Sequence, residues 1–134
     1  MRIADLFGRG KPLVSFEFFP PRTPDGERAL MATIEALRPL GPAFVSVTRT
    51  GAKPREVSVE LAARIKALGI ESAAHVTCIE ASRDELRRHF EGMLARGIEN
   101  VVALRGDRGV HGAEQGDFHH GADLVRFIRE EGWP

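Results

Sequence analysis

The sequence contains no tyrosine, a single cysteine and no excess of charge of either sign. Its 19 Lys and Arg residues are balanced by 19 Asp and Glu, with a pI near 7.0. A chain without net charge offers no electrostatic footprint for nucleic acid or an anionic membrane surface. Short basic runs such as Arg87-Arg88 read as the solvated face of a helix. No apolar run approaches the roughly 20 residues needed to cross a bilayer, and the opening "MRIADLFGRGK" lacks the apolar centre and cleavage site of a signal peptide. The lone Cys78 cannot close an internal disulfide, which suits a reducing cytoplasm. Set in an apolar run, it reads as a buried inert thiol. There is no Gly-x-Gly-x-x-Gly after the first strand, so the dinucleotide-binding form of a doubly wound sheet is not supported. The Gly-rich loop "GDRGVHGAEQGD" lacks the Gly-Lys-Ser/Thr ending of a phosphate loop. His111, His119 and His120 share a region with Asp117, but their spacing matches no metal-ligand pattern, and no metal is expected.

What is present is alternation. A hydrophobic share of 43% is enough for a core, and strand-like and helix-like segments take turns. Residues 13–19 predict a strand closed by Pro20-Pro21. Residues 24–40 predict a helix, with Thr23 as N-cap, Pro24 in the first helical position and Leu30, Ile34 and Leu37 as its apolar stripe. Strands at 43–48, 72–78 and 100–106 follow. Between them lie a helix ended by Gly69 and a helix opened by a Ser82/Glu85 capping box and ended by Gly97. Leu86, Phe90 and Leu94 are its expected buried face. A last helix is expected over 122–131, and Trp133 beyond it is expected to be exposed. Strand centres recur about every 28–30 residues, the length of one βα unit, and strands joined this way lie parallel.

Polar, chemically able groups cluster at one end of these strands: Glu17, Thr48, His75 with Thr77, and Arg105-Gly106-Asp107. In a (β/α)₈ barrel that end carries the active site. Alternation puts Ser15, Glu17 and Phe19 on one face and Val14, Phe16 and Phe18 on the other, under the helices. Glu17 is thus expected to point inward, in a partly apolar setting that resists its ionisation and lets it donate a proton near neutral pH. The alternative from pattern alone is a structural carboxylate paired with an internal Arg or Lys.

"SFEFFPPRTPDG", "FVSVT", "AAHVTC" and "VVALRGD", in this order and spacing, resemble methylenetetrahydrofolate reductases, over about residues 3–130. The resemblance implies a (β/α)₈ TIM barrel holding FAD. In it NADH or NADPH reduces the flavin, and the flavin passes hydride to 5,10-methylenetetrahydrofolate, giving 5-methyltetrahydrofolate for one-carbon and methionine metabolism. Carried over by motif, Glu17 matches the general acid that protonates N10 of the folate and opens its five-membered ring to an iminium. Asp107 matches the aspartate near flavin and folate, where a negative charge favours hydride donation and holds the cation. Arg105, Gly106 and His75 match cofactor contacts. Thr48 matches a residue near the site that nicotinamide and folate share.

Two departures and the length stand against a complete match. After "FVSVT" the family continues with Tyr-Gly-Ala, whereas this chain reads Arg49-Thr50-Gly51-Ala52. A cofactor-contacting tyrosine before the last helix is replaced by His120 in "FHHGADLV". A full barrel takes about 250 residues. The 134 residues are expected to form one domain, the first four βα units of a half-barrel. Three readings stay open: a partial gene product, a half-barrel that pairs with a second copy or another chain, and a relative without catalysis. Unpaired edges on the first and last strands make a homo-oligomer an expectation.

Overall fold

The computed structural model describes all residues except 9, 11, 50–53 and 108–115. Four parallel strands, β1 (Ser15–Phe18), β2 (Phe44–Val47), β3 (Ser72–Thr77) and β4 (Asn100–Leu104), pair in the order β1-β2-β3-β4. Four helices, α1 (Pro24–Leu37), α2 (Glu56–Ala67), α3 (Arg83–Ala95) and α4 (Gly121–Glu130), alternate with them. Sequential strands as neighbours, each joined through a helix, are the expected outcome of repeated βα units.

Local signals set the boundaries. Thr23 Oγ1 accepts from the Gly26 N–H at 3.1 Å, with Pro24 opening α1. The helix predicted to run to residue 40 changes at its end to a 3₁₀ turn, Arg38–Leu40, around Pro39. Ser82 and Glu85 form the expected capping box on α3, and Gly69 and Gly97 end helices with φ of +82° and +72°.

The register pairs Glu17 with Ser46, Ser46 with Ala73, and His75 with Val102. Strand alternation therefore gives the sheet two different faces. Val45, Val47, Ala74 and Val76 are buried in one core with Ile34, Leu61, Ile65, Leu86, Phe90 and Phe127, and Phe16 and Phe18 pack against it. Val14, expected on the same face, is 59% exposed. Burial of a side chain such as Phe127 contributes roughly 1.5–3 kcal/mol. On α3 the third core residue is Met93, 1% exposed, and not Leu94, 36% exposed. Met93 lies seven residues, close to two full turns, after Leu86, whereas Leu94 falls at the margin of the stripe. Trp133 is not free as expected. Gly132, at φ +71°, turns the chain back, and the indole stacks 4.6 Å from Phe90 and 5.5 Å from Phe127.

The opposite face carries Ser15, Glu17, Ser46, Ala73, His75, Thr77, Asn100, Val102 and Leu104. Its centre is buried, whereas Phe19 and Leu104 are 66% and 37% exposed. The N-terminal 3₁₀ turn (Ile3–Leu6) is tied to its lower end, where the Ile3 N–H donates to Asn100 Oδ1 at 2.9 Å. No helix among the described residues is long and apolar enough to cross a membrane.

Candidate active site

Parallel strands deliver their C-terminal residues to one end of the sheet, and the polar groups gather there. Glu17 Oε2 is the centre of a small cluster. The Ser46 hydroxyl donates to it at 3.2 Å, and His75 Nε2 lies 3.0 Å away. These residues come from three adjacent strands, with Ser46 on β2 between Glu17 on β1 and His75 on β3. Despite the short approach, Nε2 is buried and makes no hydrogen bond among the described residues.

The apolar enclosure expected around Glu17 is absent. Its side chain is 52% exposed and its close neighbours are polar. Among the described residues β1 has a strand neighbour on one side only, which leaves Glu17 open on the other. Neither is Glu17 a structural carboxylate locked to an arginine or lysine, because the ionisable side chain beside it among the described residues is His75.

The other residues singled out in the sequence divide into two groups. Thr48 continues β2, its N–H donating to Phe18 O at 2.9 Å, and its buried Oγ1 has no partner among the described residues. Gly106 closes β4 at φ +84°, and a Cβ there would stand 2.9 Å from Thr77 Cβ. The ends of β3 and β4 therefore approach more closely than any side chain at 106 allows. Arg105 accepts at its carbonyl from the Ile79 N–H at 2.8 Å, and its exposed side chain turns back so that Nε donates to Gly106 O at 3.1 Å. Asp107 follows, exposed. His120 stands apart. It precedes α4, its carbonyl accepts from Cys78 Sγ at 3.4 Å, and its ring is 77% exposed with Nδ1 3.6 Å from Asp123 Oδ2. The His119 and His120 N–H groups hold the Asp123 carboxyl below its usual range. Asp117 is likewise used structurally, accepting from the Arg83 N–H at 2.7 Å. His111 lies outside the described residues.

Three contributors were not singled out as site residues. Ser46 could have been, since it is a hydroxyl at an inward position between two valines. Arg49 and Arg55 both reach Thr77, whose hydroxyl accepts from Arg49 Nη1 and whose carbonyl accepts from Arg55 Nη1 at 2.6 Å. Burial, followed by the charge of Arg55, lowers the pKa of Arg49 below its ordinary value, and burial does the same to Arg55. No local pattern in the sequence marks two loop arginines as turned inward. Chemically, the strand ends offer a carboxylate beside an imidazole, two unpartnered polar atoms for a polar ligand, and a carboxylate at the end of β4.

A parallel βα sheet with acid–base residues at the C-terminal ends of its strands is an enzyme-like scaffold of the α/β class. Its family is set by comparison. The methylenetetrahydrofolate reductase family model matches residues 2–133. The chain is 42% identical over 133 residues to the 5,10-methylenetetrahydrofolate reductase of Pectobacterium carotovorum subsp. carotovorum, covering 97% of this chain and 43% of that protein. It is 40% identical over 125 residues to the enzyme of that name from Escherichia coli (strain K12), covering 91% and 41%. Similarity extends to methylenetetrahydrofolate reductase (NADH) 1 of Arabidopsis thaliana, at 33% over 137 residues, 97% of this chain and 23% of that protein. The chain belongs to the methylenetetrahydrofolate reductase family. It spans less than half the length of these relatives.

Proposed function

We propose that these residues form the first four βα units of a (β/α)₈ barrel that reduces 5,10-methylenetetrahydrofolate to 5-methyltetrahydrofolate with NAD(P)H and FAD, in the cytoplasm. The observation that carries this reading is the Glu17–Ser46–His75 cluster at the strand ends, in a chain of this family. The residues present fit a flavin. Thr48 Oγ1 and His75 Nε2 are buried polar atoms without hydrogen bonds among the described residues, and the ring system of a flavin carries donors and acceptors for such atoms. Thr48, His75, Arg105 and Gly106 would hold it, and when bound it supplies hydride.

The chain's own residues handle the proton and the charge. Glu17, fixed at Oε2 by the Ser46 hydroxyl, delivers a proton to N10 of the folate as its ring opens. Half exposed, the carboxyl lies where a ligand can reach it. The same exposure lets the carboxyl regain its proton from solvent. Asp107 places a negative charge toward the cation that ring opening creates. His120 is an outer cofactor contact in this reading, its exposed ring free to turn from Asp123.

Glu17→Gln tests it in a flavin-loaded chain. Folate reduction should be lost while NAD(P)H still reduces the flavin, as followed by flavin bleaching. Survival of folate turnover would remove the acid role. A second reading is a half-barrel that is non-catalytic or active only with a partner, a second copy included. It is favoured by Arg49 and His120 in place of the two tyrosines, and by the edges of β1 and β4 that have no strand neighbour among the described residues.

A further inference from the structure

A cleft of about 540 Å³ lies outside the Glu17–His75 cluster, lined by Arg49, Arg55, Glu56, Glu85, Arg88 and His89. Three guanidiniums meet two carboxylates there, and one of those carboxylates is already engaged: Glu85 Oε2 accepts from the Ser82 N–H and hydroxyl at 2.8 and 3.0 Å. None of the three arginines is in an ion pair among the described residues, in a molecule whose other arginines include several that are.

The cleft is built, not a chance meeting of surface chains. Arg49 and Arg55 are both anchored on Thr77, one on its hydroxyl and one on its carbonyl. They reach it from the segment between β2 and α2, so their guanidiniums are held near each other despite like charge. His89 approaches from α3 and is only 8% exposed. Two donor-capable atoms of residues that line it, Arg49 Nε and His89 Nε2, are buried and lack a hydrogen-bond partner among the described residues. Burial and then the charges of Arg55 and Arg49 hold the His89 pKa down to about 4. The ring is therefore neutral near pH 7 and can offer a single N–H without adding charge. Buried donors left unpaired carry a desolvation cost that a ligand acceptor removes.

The chemistry of the ligand follows from what the walls reject. The guanidiniums repel a metal cation, and the orphaned donors disfavour an apolar group. What satisfies them is an anion with several oxygens spread in space, reached by donors from the β2–α2 segment and from α3. The N-terminus of α2, which begins at Glu56 directly after Arg55 and has no side-chain cap among the described residues, adds its positive end.

We propose that this cleft is a phosphate-binding site in which Arg49, Arg55 and His89 hold one phosphate group. It does not depend on the reading of Glu17. The phosphate could come as a free ion or as part of a nucleotide, and the experiment separates the two. The 134-residue chain is titrated at constant ionic strength with inorganic phosphate, pyrophosphate and ADP, following arginine Nε–H and histidine side-chain resonances by NMR. The expected result is saturable binding that shifts the Arg49 Nε–H and His89 signals. Arg49→Gln and His89→Phe should each weaken it at least tenfold, whereas Arg38→Gln, remote from the cleft, should leave it unchanged. ADP tenfold tighter than both inorganic ions would identify a nucleotide, and equal affinities the free ion. Absence of saturation, or saturation with the Arg49 and His89 signals unmoved, would overturn the proposal. That last readout uses the unaltered chain and so holds even where a variant does not fold.

Discussion

His89 shows how one buried residue couples stability to pH. Its pKa is about 4 in the folded chain against an ordinary 6.5. Between those values the unfolded state binds more protons than the folded one, so stability is fully present above about 6.5 and is lost as pH falls toward 4. The size is on the order of 1–3 kcal/mol at the acid end. Equilibrium urea unfolding should show a falling midpoint between pH 6.5 and 5, and His89→Gln should flatten that slope. The window separates it from Glu85, whose carboxyl the backbone and hydroxyl of Ser82 hold below its ordinary 4.5 and which therefore acts only at lower pH. An unchanged slope in the variant would mean that His89 is not kept neutral by its surroundings. Gly106 is the other residue whose replacement has a definite cost. A Cβ there meets Thr77 at 2.9 Å and Ile79 at 3.1 Å, at a φ of +84° that side chains rarely adopt. Gly106→Ala should destabilise by about 1–3 kcal/mol, read from the same unfolding curves.

At the scale of elements, the sequence made its own boundaries visible wherever a short-range hydrogen bond sets them. The Ser82–Glu85 box could be read directly because both partners lie within one turn, and it is present with both halves formed. Ser82→Ala should therefore cost about 1 kcal/mol, within roughly 0.5–2, in chemical unfolding. A loss below a tenth of that would mean α3 is held by its packing alone. The order of the four strands was equally legible, since each βα unit repeats the same pattern. What could not be read was long-range. That Glu17 sits half exposed goes with β1 having a strand neighbour on one side only among the described residues, which is a property of the sheet and not of "FEF". The pairing of Arg49 and Arg55 on Thr77 spans 28 and 22 residues of chain, and no local spacing encodes it. Trp133 docks on Phe90 and Phe127 from two helices for the same reason.

The whole molecule poses the question of what completes the site. The sheet leaves one edge of β1 and one edge of β4 without a strand neighbour among the described residues, and side chains such as Phe19 and Leu104 of the face opposite the helices are open to solvent. Exposed strand edges invite pairing. The groups that would hold a flavin, Thr48, His75, Arg105 and Gly106, come from β3 and from the ends of β2 and β4, on a side of the sheet where Phe19 and Leu104 are open to solvent. We therefore expect the purified 134-residue chain to take up FAD only where a second chain covers that side. The visible spectrum after FAD addition, read across a sizing column with mass detection, tests this. A yellow species should appear at twice the chain mass, and the monomer fraction should stay colourless. A yellow monomer would show that these four units suffice to hold the cofactor. A colourless dimer would show that the edges pair without completing a pocket, and would favour the non-catalytic reading over the enzymatic one for this chain in isolation.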